Sequence, residues 1–113
     1  MAQAPTRTRA RQSAYEQWAE AQGIPIHRGY FCDDLRTVEL GYWKDREYNA
    51  AIFMLAGQEN ISEARVTEIP AGDTLPPIRI ALEEQVYVLQ GNGICTVWAD
   101  DTTPKRSFEW HER

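Results

Sequence analysis

Histidine is almost missing from this sequence, with two in 113 residues, and cysteine is equally scarce. His27 and His111 lie too far apart for any paired-imidazole metal motif. A centre built from His27, Cys32, Asp33 and His111 has no spacing rule behind it, and a solvated side chain is the default for His111, close to Arg113. Cys32 and Cys95 form no CxxC pair, which excludes a disulfide framework and a zinc or redox motif of that type. Two scattered cysteines with no secretory leader read as reduced thiols, so a cytoplasmic setting is expected. No apolar stretch occurs in the first twelve residues and no run approaches membrane-spanning length, so neither a signal sequence nor a membrane partner is expected. No Ser-His-Asp or Cys-His arrangement can be argued, and there is no internal repeat or low-complexity segment.

Positive charge is also lacking outside one short stretch. The chain holds 12 Lys and Arg against 17 Asp and Glu, a net charge of −5. Arg7, Arg9 and Arg11 precede the first acidic residue, Glu16. The other nine basic residues face all seventeen acidic ones, leaving −8 on the body. Nucleic-acid binding needs clustered positive charge on the folded surface, so that partner is excluded. Residues 1–12 read as a disordered basic tail, a frayed terminus rather than an anion contact or a targeting signal. Residues 13–113 are expected to form one domain.

The first element is a short helix from about Ser13 to Gln22. Ser13 can cap it, and Glu16 stands three residues on, the spacing of a capping box. Tyr15, Trp18, Ala19 and Gln22 share one face, which is expected to pack on the outside of a sheet. Gly23 and Pro25 end the helix.

Strand signals dominate the rest. Val38 and Leu40 suggest a short strand in an otherwise irregular, aromatic-rich region. Ala51 to Leu55 is a continuous apolar run suited to a buried strand. Glu63–Ile69, Gln85–Leu89, Ile94–Trp98 and Arg106–Trp110 follow, separated by Pro70-Ala71-Gly72, Gly91-Asn92-Gly93 and the turn from Asp100 to Pro104. Short strands broken by Gly, Pro and Asp turns indicate a β-sandwich or barrel. Gly91-Asn92-Gly93 reads as a hairpin turn rather than a phosphate loop, because a strand and not a helix follows. Trp43, Trp98, Tyr87 and Phe108 read as sheet packing in preference to an aromatic-substrate platform.

The stretch Gly72–Gly91 is the most informative. Gly72 is followed by five residues and Ile78, then one residue and Ile80, then three residues and Glu84, then six residues and Gly91. This spacing resembles the first cupin motif, in which histidines stand where Ile78 and Ile80 are. The flanking Ile-Pro-Ala-Gly and Val-Tyr-Val-Leu-Gln-Gly-Asn-Gly patterns agree, so the resemblance covers about residues 64–98. It implies an all-β fold, a cupin-type jelly-roll β-barrel with a short N-terminal helix, present here only in part because the second half would lie beyond residue 113. In the family two imidazoles and the carboxylate hold Fe, Mn, Ni or Zn, with a further histidine from a second motif downstream.

Isoleucine has no lone pair, so Ile78 and Ile80 cannot ligate a metal. Glu84 alone does not define a coordination geometry. No cofactor and no functional metal site are therefore expected. Alternate residues of a strand share a face, so Ile78 and Ile80 would line the barrel interior with apolar surface. Val86, Val88, Arg65 and Trp98 are the expected pocket lining. Glu84 would be hydrogen-bonded, paired with Arg65, or open to water. Adjacent Glu83 and Glu84 would point to opposite faces of a strand and so could not share acid–base work. The expected function is a small-molecule-binding or structural domain. The alternative is the non-catalytic portion of a metal-dependent cupin enzyme, of dioxygenase or isomerase type, with its metal in another segment. A ligand-sensing regulator has no helix-turn-helix to support it. An open barrel exposes strand edges, which would favour a homo-oligomer.

Overall fold

The computed structural model describes residues 12–59 and 61–112, so most of the basic tail lies outside the described residues. The elements run α1 (Ala14–Ala21), β1 (Ile26–Gly29), β2 (Gly41–Trp43), β3 (Tyr48–Leu55), β4 (Ala64–Glu68), β5 (Asn92–Val97) and β6 (Arg106–His111). The described residues are mostly β, with two sheets and one short helix. It divides into two compact units, one through Ile78 and one from Arg79 onward.

Helix α1 begins as its sequence predicts. Ser13 is the N-cap, with extended backbone, and its hydroxyl accepts from the Glu16 amide at 3.1 Å. Gly23 then takes a left-handed φ of 74°, which costs glycine nothing and turns the chain out of the helix. Ala19 is fully buried, and the Tyr15 and Trp18 rings sit 5.7 Å apart on the same face.

Strand β3 is the centre of the first sheet. β4 pairs antiparallel with it over Asn49–Phe53, while β2 pairs antiparallel with Tyr48–Ala50 and β1 pairs parallel with Ile52–Leu55. Because β4 overlaps both of those spans, β1 and β2 must share the opposite edge of β3, end to end. Ala50, Ala51, Ile52 and Phe53 are buried on both faces, as their apolar run predicts for an inner strand. On one face Ile52 and Ala50 join Ala19, Ile24 and Trp43 to form the core, with Tyr15, Ile26, Tyr48 and Met54 packed around it. On the other face the His27 ring lies 5.1 Å from Phe53.

Strand β1 was not expected, because a four-residue segment carries too little periodicity to be seen. It forms because the β3 edge beyond β2 offers unpaired backbone groups, and the ladder starts where the Ile52 amide donates to the Pro25 carbonyl at 3.0 Å. The strand expected around Val38 and Leu40 forms three residues further on, at Gly41–Trp43. Gly41 fits there because a Cβ would come within 2.8 Å of the Pro25 ring. The β2–β3 reversal closes with the Glu47 amide donating to the Trp43 carbonyl at 2.8 Å. Glu47 itself has φ 60°, a left-handed conformation that costs a non-glycine residue about 1 kcal/mol.

In the second unit β5 and β6 pair antiparallel, from Asn92↔His111 to Val97↔Arg106. The alternation separates two faces. Gly93, Cys95 and Val97 share one with Trp110, Phe108 and Arg106, while Asn92, Ile94 and Thr96 share the other with His111, Glu109 and Ser107. The first face is largely apolar, yet Val97 and Phe108 remain about half exposed. The reversal is built on Asp100, whose carboxylate accepts from the Thr102 amide and from both threonine hydroxyls. Those hydrogen bonds hold its pKa down to about 2.

Two expectations fail in this unit. Gln85–Leu89 forms no strand, and Gly91-Asn92-Gly93 is not a hairpin turn: β5 already begins at Asn92, and the hairpin turn lies between Val97 and Arg106. The β-formers at 85–89 join no ladder among the described residues, and propensity alone does not make a strand. Gly93 has another role. Trp110 lies across it so closely that a Cβ would overlap the indole ring. Gly93→Ala should therefore push Trp110 off the strand. The measurement is the proton spectrum: ring-current-shifted Gly93 α-protons in the parent chain, and a displaced Trp110 indole signal in the variant. An unmoved indole signal would show that the ring does not rest there.

Candidate functional site

The residues expected to line a metal-free pocket are mostly at the surface. Ile78 is 55% exposed and Ile80 47%. Neither lies on a helix or a strand, so the alternation that would aim both at one face does not operate. Ile78 belongs to the first unit, while Ile80 and Glu84 belong to the second. Glu84 and Val86 are exposed, and Val88 is half-buried. Trp98 is 38% exposed, with the Lys105 ammonium over its ring at 4.6 Å. Among the described residues no three of His, Cys, Asp and Glu converge where they could hold a metal ion. The His27 ring nitrogen Nε2 instead meets the Glu39 carbonyl at 3.0 Å, and His111 is exposed at the end of β6.

Arg65 takes its ion pair from Glu63 in its own unit, and of the three settings expected for Glu84 its exposure matches the one open to water. The location of Arg65 on β4, opposite Ile52, brings it to the core face. There its guanidinium lies 4.8 Å over Trp43, while Arg46 lies 5.2 Å from the same ring. Trp18 and Tyr48 meet that indole edge-on at 6.0 and 5.8 Å, and its N–H donates to Gln22 at 3.0 Å. Glu63 also accepts from the Tyr15 hydroxyl, so one carboxylate joins the helix to β4.

The titration of this cluster follows its burial. Desolvation first, then the hydrogen bond to Glu63, raise the Tyr15 phenol well above 10.0. Burial works against the charged Arg65, but the Glu63 carboxylate and the Tyr48 hydroxyl outweigh it and hold its pKa up. Sequence reasoning singled out Arg65 but missed Glu63 and Tyr15 as its network. One signal was available, since residues two apart along an extended chain project the same way.

A second feature lies at the start of β3. Tyr42 and Asn49 are ladder partners, so their side chains share the face opposite the helix. With Glu47, Asp73, Thr74 and Leu75 they border an open groove of about 330 Å³. Its far wall is the segment after β4, which turns where the Asp73 amide donates to the Pro70 carbonyl at 3.1 Å. The Asn49 amide nitrogen donates to Glu68 at 3.2 Å. A hollow beneath Tyr15, Phe53 and Met54 holds only about 10 Å³, room for a single water at most.

No family model, no curated protein and no solved structure matches the chain. No described helix is long and apolar enough to cross a membrane.

Proposed function

We propose that the chain is a cupin-type domain, a partial jelly roll without a functional metal site, acting as a small-molecule-binding or structural domain. The observation that carries this reading is the spacing Gly72, Ile78, Ile80, Glu84, Gly91, with hydrocarbon at the two positions where the family places imidazole. The β-rich character of the chain is compatible with it. The β5–β6 hairpin adds support for a structural role, because a two-stranded hairpin is marginal alone and this one bares Val97 and Phe108. Such a face is completed by packing against another sheet, which fits a homo-oligomer. Cys32 and Cys95 are both free thiols, in keeping with a reducing compartment such as the cytoplasm.

Metal analysis of the purified chain should find Fe, Mn, Ni and Zn well below one equivalent. The double substitution Ile78→His with Ile80→His should then create measurable affinity for Ni or Zn, read by isothermal calorimetry, because it restores the His-x-His spacing of the motif that the sequence resembles. A double variant that binds no more metal than the parent would remove the motif assignment, and with it this function.

A further inference from the structure

We infer that the open edge of β6 is an interface with a second copy of this chain, paired antiparallel about a twofold axis at Ser107. The inference makes specific the homo-oligomer proposed above and rests on that part of the reading, but no position of the metal motif takes part. The hairpin fixes where its unpaired backbone groups point. The Glu112 amide donates to the Gly91 carbonyl at 2.9 Å, in the register that runs on as Asn92↔His111. Hydrogen-bonded and non-hydrogen-bonded pairs alternate along an antiparallel ladder, so Trp110, Phe108 and Arg106 bond to β5. Ser107, Glu109 and His111 therefore aim their N–H and C=O groups away from β5, at an edge that no other described strand covers. Such an edge is a template for another strand. The hairpin also needs one, because no described residue from Arg79 onward is buried and two strands alone are marginal.

The residues of the strand select its own copy as the partner. A twofold contact sets positions equally spaced from the axis against each other. Lys105 and Glu109 stand two residues to either side of Ser107, and Arg106 and Phe108 stand one to either side. Pairing about Ser107 thus sets Lys105 opposite the partner's Glu109 twice, and Arg106 opposite the partner's Phe108 twice. The first gives two ion pairs on one face of the joined sheet, and the second gives two cation–π contacts on the apolar face. The Arg106–Phe108 pairs fall at non-hydrogen-bonded positions, where side chains approach most closely. Other axes fit less well. One at Glu109 opposes two carboxylates. One at Phe108 sets Arg106 against Trp110, whose ring leans over Gly93 on the β5 side, away from the edge. β5 has no charged residue from Asn92 to Val97, so its edge offers no such complementarity.

Sedimentation equilibrium of the full chain over about a hundredfold range of concentration should show a reversible monomer–dimer equilibrium, weak because the strand is short. Lys105→Glu and Glu109→Lys each oppose like charges twice and should each weaken the dimer by about tenfold. Mixing the two variants returns both opposite-charge pairs, so a heterodimer of near-parental affinity is expected. Hydrogen exchange should slow at the Ser107 and Glu109 amides as concentration rises. Ring-current-shifted Gly93 α-protons report that the hairpin of each variant is folded. A monomer at every concentration would leave the edge to a different chain and overturn both this proposal and the homo-oligomer. A dimer whose protection falls instead at Ile94 and Thr96, whose affinity ignores both charge variants, or whose mixed variants associate no better than each alone would overturn this proposal and leave the homo-oligomer standing. None of these results bears on the metal motif, which the variant carrying Ile78→His and Ile80→His tests separately.

Discussion

Trp43→Ala should leave the first unit largely unfolded at room temperature. Trp43 is 1% exposed and is, with Ile52, one of the two largest fully buried side chains. Truncating a buried tryptophan costs about 3–5 kcal/mol, from lost apolar transfer and the cavity left behind. A folded domain has only about 5–15 kcal/mol in total, and a small one sits low in that range. Further losses add to this. The Gln22 side chain loses the indole donor, Trp18 and Tyr48 lose an edge-on neighbour, and Arg46 and Arg65 lose the ring beneath them. Trp43→Phe keeps an aromatic centre and should retain a cooperative transition at lower urea. Urea denaturation followed by circular dichroism measures both. An alanine variant with the parent's midpoint would mean that the core does not depend on this ring.

The second large effect belongs to Glu63. Its carboxylate accepts from Arg65 and Tyr15, so Glu63→Ala takes the ion-pair partner from a guanidinium that is 29% exposed and the acceptor from a phenol beside the core. Leaving buried polar groups without partners costs about 1–3 kcal/mol, and the residual solvent access places this case toward the lower end. A double-mutant cycle with Tyr15→Phe separates the two contacts, since the second substitution should cost much less once Glu63 is gone. No coupling between them would mean that the Tyr15–Glu63 hydrogen bond does not form in solution.

The same pair sets a pH dependence. The folded chain holds the Tyr15 proton more tightly than the unfolded chain does, because its pKa is raised above 10.0 by burial and by Glu63. This contribution is complete below pH 10 and is lost as the pH climbs from there through the folded-state value. The raised pKa of Arg65 acts in the same direction. Tyr15→Phe should therefore show a shallower loss of stability above pH 10 than the parent chain.

How much of this was legible depended on whether a feature is local. The Ser13 cap, the Gly23 exit and the apolar stripe of α1 involve residues within one or two turns, and the structure has them where the sequence places them. The buried run of β3 and the strands β4, β5 and β6 were also readable, each to within about two residues. Pairing was not. Nothing in Ile26–Gly29 announces a parallel partner 26 positions further on, and nothing local distinguishes Gln85–Leu89, which stays out of any ladder, from Asn92–Val97, which joins one. The candidate site divided in the same way. Arg65 could be named in advance, but its partners could not, because Trp43 and Tyr15 reach it only through the packing of α1 and β2 on β3.

The sequence by itself determined that this is a β-rich chain with a capped helix and an acidic body. Those properties reside in residue types and short-range spacing, and no fold can change them. Only the tertiary structure decided that β3 serves three neighbours, that Glu63 answers Arg65, and that Tyr42 borders an open groove with Glu47 and Asp73. Each of these is a meeting of groups distant along the chain, set by which backbone edges remain unpaired and which apolar faces must be covered.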